Sequence, residues 1–173
     1  MQRASRDAGV RPQHIGATAA QLRDAIDEYR RLFRAQQIEQ MRRFREVALQ
    51  AMQRLAAFEP RLCGALLHGD GPLNHVRLLL RADTAEHVIM RLSDLHIPWR
   101  SGETTLIHAG NRQVAWPTLR FLAGDAQIEL VVLPLDAVSD PPRDALSRQR
   151  LDTLDEAQLT ALLDADQRAS MGT

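Results

Sequence analysis

Residues 61–82 read RLCGALLHGDGPLNHVRLLLRA, and the reading of this stretch decides the fold. Leu62 to Leu67 is an apolar run of strand length. The loop HGDGPLN follows, with Gly69, Gly71 and Pro72 as punctuation. Val76, Leu78 and Leu80 then alternate with His75, Arg77 and Leu79, the period-two pattern of a second strand. Two strands this close in sequence belong to one sheet. The small pair Gly64-Ala65 sits inside the first run, and Cys63 precedes it.

Upstream, residues 18–58 contain neither Gly nor Pro. Thr18 is a plausible cap, and Leu22, Ile26, Tyr29 and Phe33 recur at helical spacing. A second apolar face follows at Ile38, Met41, Phe44 (or Arg45), Ala48, Met52 and Leu55. This predicts one long helix with a phase slip, or two helices meeting near Ala35. Pro60 ends it. Downstream, Asp83 with Glu86 three residues on resembles a capping box and opens a helix carrying Val88, Ile89, Leu92 and Leu95. Short strands are expected at 99–103, 104–108 and 113–116, around a turn at Ala109-Gly110-Asn111. Thr118–Leu122 and Ile128–Leu133 flank Gly124-Asp125 as a hairpin. Thr153 with Glu156 predicts a last short helix from Leu154 to about Asp164. The chain thus divides into a flexible tail at 1–16, a helical arm at 17–58, a core at 59–136, and a loop, short helix and tail at 137–173. Strand, strand, helix and a β meander make an α/β (α+β) fold around one sheet.

Composition narrows the function classes. The 173 residues suffice for one real core plus an appendage. All 22 basic residues are arginine, so there is no ammonium for Schiff-base chemistry. Formal net charge is zero, against the basic balance of a general nucleic-acid binder, and no specific nucleic-acid signal is present. The single Cys63 excludes an internal disulfide and reads as a buried, inert thiol. No run approaches the ~20 apolar residues of a membrane span, and no signal-peptide pattern opens the chain. A cytoplasmic protein with no membrane contact is expected.

The helix text EYRRLFRAQ, the segment ALQAMQRLAAFEPRLCGALLHG, the strand HVRLLL, the segment LHIPWR and the late strand IELVVLP together resemble the nucleotidyltransferase superfamily, the DNA polymerase beta-like fold. The likeness is nearest to small bacterial nucleotidyltransferase-like proteins and runs from about Glu28 to Leu163. It implies a mixed sheet with flanking helices and an N-terminal helical arm. In active members a Gly-Ser pair after the first strand touches nucleotide phosphates; the matching pair here is Gly64-Ala65, without the hydroxyl. Two metal carboxylates of the next strand match His75 and Arg77. A third acid, on a later strand, matches Glu129.

One acid in three changes the chemistry. Two hard cations need several oxygen ligands to bridge a triphosphate. The guanidinium of Arg77 cannot ligate Mg²⁺, although it can grip a phosphate oxygen. No metal site is therefore expected, and nucleotide or anion binding at Gly64, Ala65 and Arg77 without transfer is the leading expectation. The chain would be a catalytically inactive or impaired domain acting as a binding or regulatory module. Glu129 is expected to pair with Arg77 across the sheet. One alternative is an active enzyme whose site is rebuilt from Glu129, Asp70 and either Asp83 or Glu103; only that version calls for Mg²⁺ and a nucleoside triphosphate. Another is a structural protein that forms a homo-oligomer through the arm. His68, Asp70 and His75 around the loop have no recognised metal spacing. His14, His87, His96 and His108 read as surface or structural histidines.

Overall fold

A computed structural model describes residues 18–138, 140–144 and 149–171 of the chain. The expected tail at 1–16 lies outside the described residues. The described residues fall into two compact units, one ending at Gln37 and the other beginning at Ile38. A single helix, α1 (Ala19–Arg54), runs through both, so the phase slip near Ala35 changes the apolar face without breaking the backbone. Thr18 caps it as expected. Its hydroxyl accepts from the Gln21 amide at 3.3 Å, and the Gln21 side chain accepts from the Thr18 amide at 2.9 Å.

In the second unit, Phe44, Ala48 and Met52 of α1, and Leu55 just after its end, are buried at helical spacing. The helix gives way to a 3₁₀ turn at Ala56–Phe58, and Glu59 takes a left-handed conformation before Pro60. Then follow β1 (Arg61–Cys63), α2 (Ala65–His68), β2 (His75–Arg81), α3 (Ala85–Asp94), β3 (Arg100–Ile107), β4 (Gln113–Ala123), β5 (Ala126–Leu133) and α4 (Glu156–Met171). The result is a five-stranded mixed sheet in the order β1-β2-β5-β4-β3, with β2 and β5 parallel and all other neighbours antiparallel.

Several local expectations are corrected. The strand expected at Leu62–Leu67 stops at Cys63, because Gly64 at φ +89° and ψ −152° turns the chain into α2. Leu66 is still fully buried, but from a helical turn. The strands expected at 99–103 and 104–108 are one strand, and those at 113–116 and 118–122 are another that continues through Pro117. Pro117 removes one ladder donor, which a long antiparallel pairing tolerates. Thr84, not Asp83, is the N-cap of α3. Asp155 and Gln158, not Thr153 and Glu156, exchange hydrogen bonds at 2.9 Å to start α4. That helix continues past Asp166 to Met171.

The two sheet faces differ. Leu62, Val76, Leu78, Leu80, Leu119, Ile128, Leu130 and Val132 face α1, α3 and α4 and form the main core. On the opposite face, Cys63, Leu79, Leu106, Val131 and Leu133 form a smaller cluster with Trp116, Ala137 and Leu151. That cluster covers one part of the face only, and polar side chains occupy the rest.

Candidate functional site

Strand pairing assembles the polar part. Cys63 is opposite Arg77, Arg77 opposite Glu129, Glu129 opposite Arg120, and Arg120 opposite Arg100. Directly paired residues share a face. One row of side chains therefore crosses all five strands and holds three arginines around one glutamate.

Glu129 is the anchor of the row. Its side chain is 3% exposed, against 34% for Arg77 and 54% for Arg120. Arg77 donates from Nε to Oε2 at 2.6 Å. Arg120 donates from Nε to Oε1 at 2.9 Å, with its Nη2 at 2.8 Å from the same oxygen. His75 Nε2 stands 3.6 Å from Oε2, a charge neighbour and not a hydrogen bond. Burial pushes the Glu129 carboxyl up. The Arg77 charge and hydrogen bond, together with those of Arg120, outweigh it and hold the group below the ordinary glutamate value. The expected Arg77–Glu129 pair is present, with Arg120 as a second partner.

Above the row lies a cleft of about 730 Å³, lined among others by His75, Arg77, Trp99, Arg100, Arg120 and Glu129. Among the described residues Glu129 is the only acid in its lining, so the three guanidinium groups there leave a surplus of two positive charges. Arg77 uses only Nε for the carboxylate, and its two terminal nitrogens point no hydrogen bond at any described residue. The cleft can therefore offer several N–H donors to an oxyanion.

The residues singled out from sequence do not all meet here. His75, Arg77 and Glu129 line the cleft. Gly64 and Ala65 line a different hollow, with His68, Asp70, Asp144 and Asp152 around it. Asp70, Asp83 and Glu103 do not line the Glu129 cleft. Glu103 is exposed, and strand alternation puts it on the other side of β3 from Arg100. Among the described residues no group of three or more His, Cys, Asp or Glu side chains is placed to hold a metal ion.

Sequence reasoning missed Arg120 and Arg100. The signal existed. A two-residue turn at Gly124-Asp125 puts Ala123 opposite Ala126, and counting back along the ladder puts Arg120 opposite Glu129.

Two further buried polar groups are structural. Arg45, expected only as a variant of the apolar stripe, donates to the carbonyls of Leu66 at 2.8 Å and Leu67 at 3.2 Å and bonds Asp166 at 2.8 Å. His108 is buried, accepts from the Trp116 indole N–H at Nε2 (3.0 Å), and has Nδ1 2.9 Å from the Asp140 carbonyl. That geometry requires the proton on Nδ1.

No family model matches the chain, and comparison with curated proteins finds no match. Among the described residues no helix is long and apolar enough to cross a membrane.

Proposed function

We propose that the chain is a nucleotidyltransferase-like domain that binds an anionic ligand, a nucleotide in the first instance, and does not transfer it. It would act as a cytoplasmic binding or regulatory module. The observation that carries this reading is the state of Glu129. Both its oxygens are taken by Arg77 and Arg120. The position that the resemblance gives to a metal carboxylate is thus neutralised by arginines, and His75 and Arg77 stand at the other two.

The parallel pairing of β2 with β5, in the register Arg77 to Glu129, supports the likeness, as does the short helix directly after Gly64. Phosphoryl transfer depends almost wholly on positioning and charge neutralisation, for which these enzymes use metal ions. Guanidinium groups supply positive charge to a ligand but offer no metal a ligand oxygen. Binding without turnover follows.

The test is to incubate the protein with labelled nucleoside triphosphates, Mg²⁺ or Mn²⁺ and candidate acceptors, and separately to titrate it with triphosphate with and without metal. Saturable binding that does not require metal, and no transfer product, is expected. Turnover abolished by Glu129→Gln would instead show an active enzyme that uses Glu129.

A second reading is a homo-oligomer formed through the arm. Leu22, Ile26, Tyr29, Leu32 and Phe33 are all exposed on the first half of α1, which supports it. It is compatible with a ligand-binding core.

A further inference from the structure

Arg100 and Arg120 are directly opposite each other on neighbouring antiparallel strands. Like charges in that relation destabilise a sheet. Arg120 is explained by Glu129. The Arg100 side chain makes no hydrogen bond or ion pair with any described residue, yet it lines the same cleft. Its charge is an unexplained cost in a protein whose net charge is zero.

The surroundings fit a ligand that would remove that cost. The buried Glu129 holds Arg77 and Arg120 in fixed orientations, so two of three guanidinium groups are already in place. The third Arg120 nitrogen, Nη1, lies beside Gly102, at ordinary contact distance (3.6 Å) from where a Cβ would stand. Half-buried Trp99 and exposed Leu122 add apolar walls to the cleft.

We propose that Arg100 and Arg120 form an oxyanion clamp, aided by the terminal nitrogens of Arg77. It would take a small organic carboxylate or phosphate monoester whose apolar group rests on Trp99 and Leu122. The inference deepens the reading of this cleft as an anion site, but it requires neither the nucleotidyltransferase likeness nor a nucleotide. Guanidinium pairs favour planar or tetrahedral oxyanions through paired N–H bonds, and an aromatic wall favours a ligand with a flat body.

Calorimetric titration of the full chain with inorganic phosphate, phenyl phosphate and benzoate tests it. Phenyl phosphate is expected to bind more tightly than inorganic phosphate, with an affinity that falls as salt rises. Benzoate against phenyl phosphate decides between the carboxylate and the phosphate. Arg100→Gln is expected to weaken binding about tenfold, the size of one lost charge-assisted hydrogen bond. The same substitution should raise the melting temperature of the ligand-free protein, because it removes the repulsion of Arg120. A purely structural Arg100 would lower it. Arg168→Gln on α4 serves as a control and should leave affinity unchanged. The clamp is overturned by absence of saturable binding of all three probes, by affinity indifferent to Arg100→Gln, or by a lower melting temperature in that variant. Nucleotide transfer activity would overturn the functional reading above and leave this clamp standing.

Discussion

Glu129 keeps its charge although water hardly reaches it, because two guanidinium groups replace the water. Its folded pKa is below the ordinary 4.5, while the unfolded chain has the ordinary value. A carboxyl lowered in this way contributes stability above the unfolded pKa. That contribution is lost as pH falls through the folded one. Thermal melts from neutral pH down through the carboxylate range should therefore fall more steeply for the native sequence than for Glu129→Gln. Parallel curves would show that the pairing contributes nothing on folding. At neutral pH, Glu129→Gln should cost about 1–3 kcal/mol, the range for a charged hydrogen-bond network that loses one partner. A double-mutant cycle with Arg77→Met should return a coupling above about 0.5 kcal/mol, the threshold at which contacts stop being additive. A neighbour in the same row, Cys63, shows the opposite imbalance. Burial pushes its thiol up to about 12, with Glu129 adding to the shift and Arg77 opposing it. Only the thiolate is a strong nucleophile. Iodoacetamide should therefore label Cys63 at the rate at which the native protein opens, and rapid labelling under native conditions would contradict the packing.

At the scale of elements, α2 is a four-residue helix that depends on its neighbours. Arg45 reaches from α1 to the carbonyls of Leu66 and Leu67 near its end and to Asp166 of α4. Arg45→Met would take the Arg45 donors from those carbonyls and one partner from Asp166. A loss of about 2–4 kcal/mol in denaturant unfolding is expected, set by the cost of unsatisfied buried groups. A loss below 0.5 kcal/mol would mean that water replaces the guanidinium. The same elements show where sequence reading succeeds. Strand β2, helix α3 and the Gly124-Asp125 hairpin were legible because their periodicity and turn residues agree locally. Helix α2 was not. CGALLH has the apolar density of a strand, and only the conformation of Gly64 and the distant Arg45 make it a helical turn. The row Arg77–Glu129–Arg120–Arg100 was half legible. The likeness to known strands pointed to Arg77 and Glu129. Arg120 follows from the Gly124-Asp125 turn alone, whereas Arg100 also needs the register across the turn between β3 and β4, which alternation does not fix.

At the scale of the whole molecule, α1 belongs to two units with different support. From Phe44 onward it is held by the core. From Ala19 to Gln37 its apolar stripe is exposed, with the rings of Tyr29 and Phe33 stacked 6.3 Å apart along the helix. The other side of this segment carries its own counter-charges, Asp27 with Arg30 and Glu28 with Arg31. Such exposed i,i+3 pairs add only a few tenths of a kcal/mol each. Helices gain most of their stability from packing an apolar face. Under the second reading proposed above, a second copy of the same stripe covers Leu22, Ile26, Tyr29 and Phe33 with no other molecule. Mass measured by light scattering should rise above that of one chain as concentration increases. Amide exchange in residues 19–37 should slow over the same range, while residues 44–54 stay protected throughout. Ile26→Asp with Phe33→Asp in the full chain should abolish both effects without lowering the melting temperature of the core. Deleting residues 1–37 should do the same, since the second compact unit begins at Ile38. A full-length protein that stays monomeric at millimolar concentration, or a doubly substituted one that keeps its oligomeric mass, would defeat self-association through the arm.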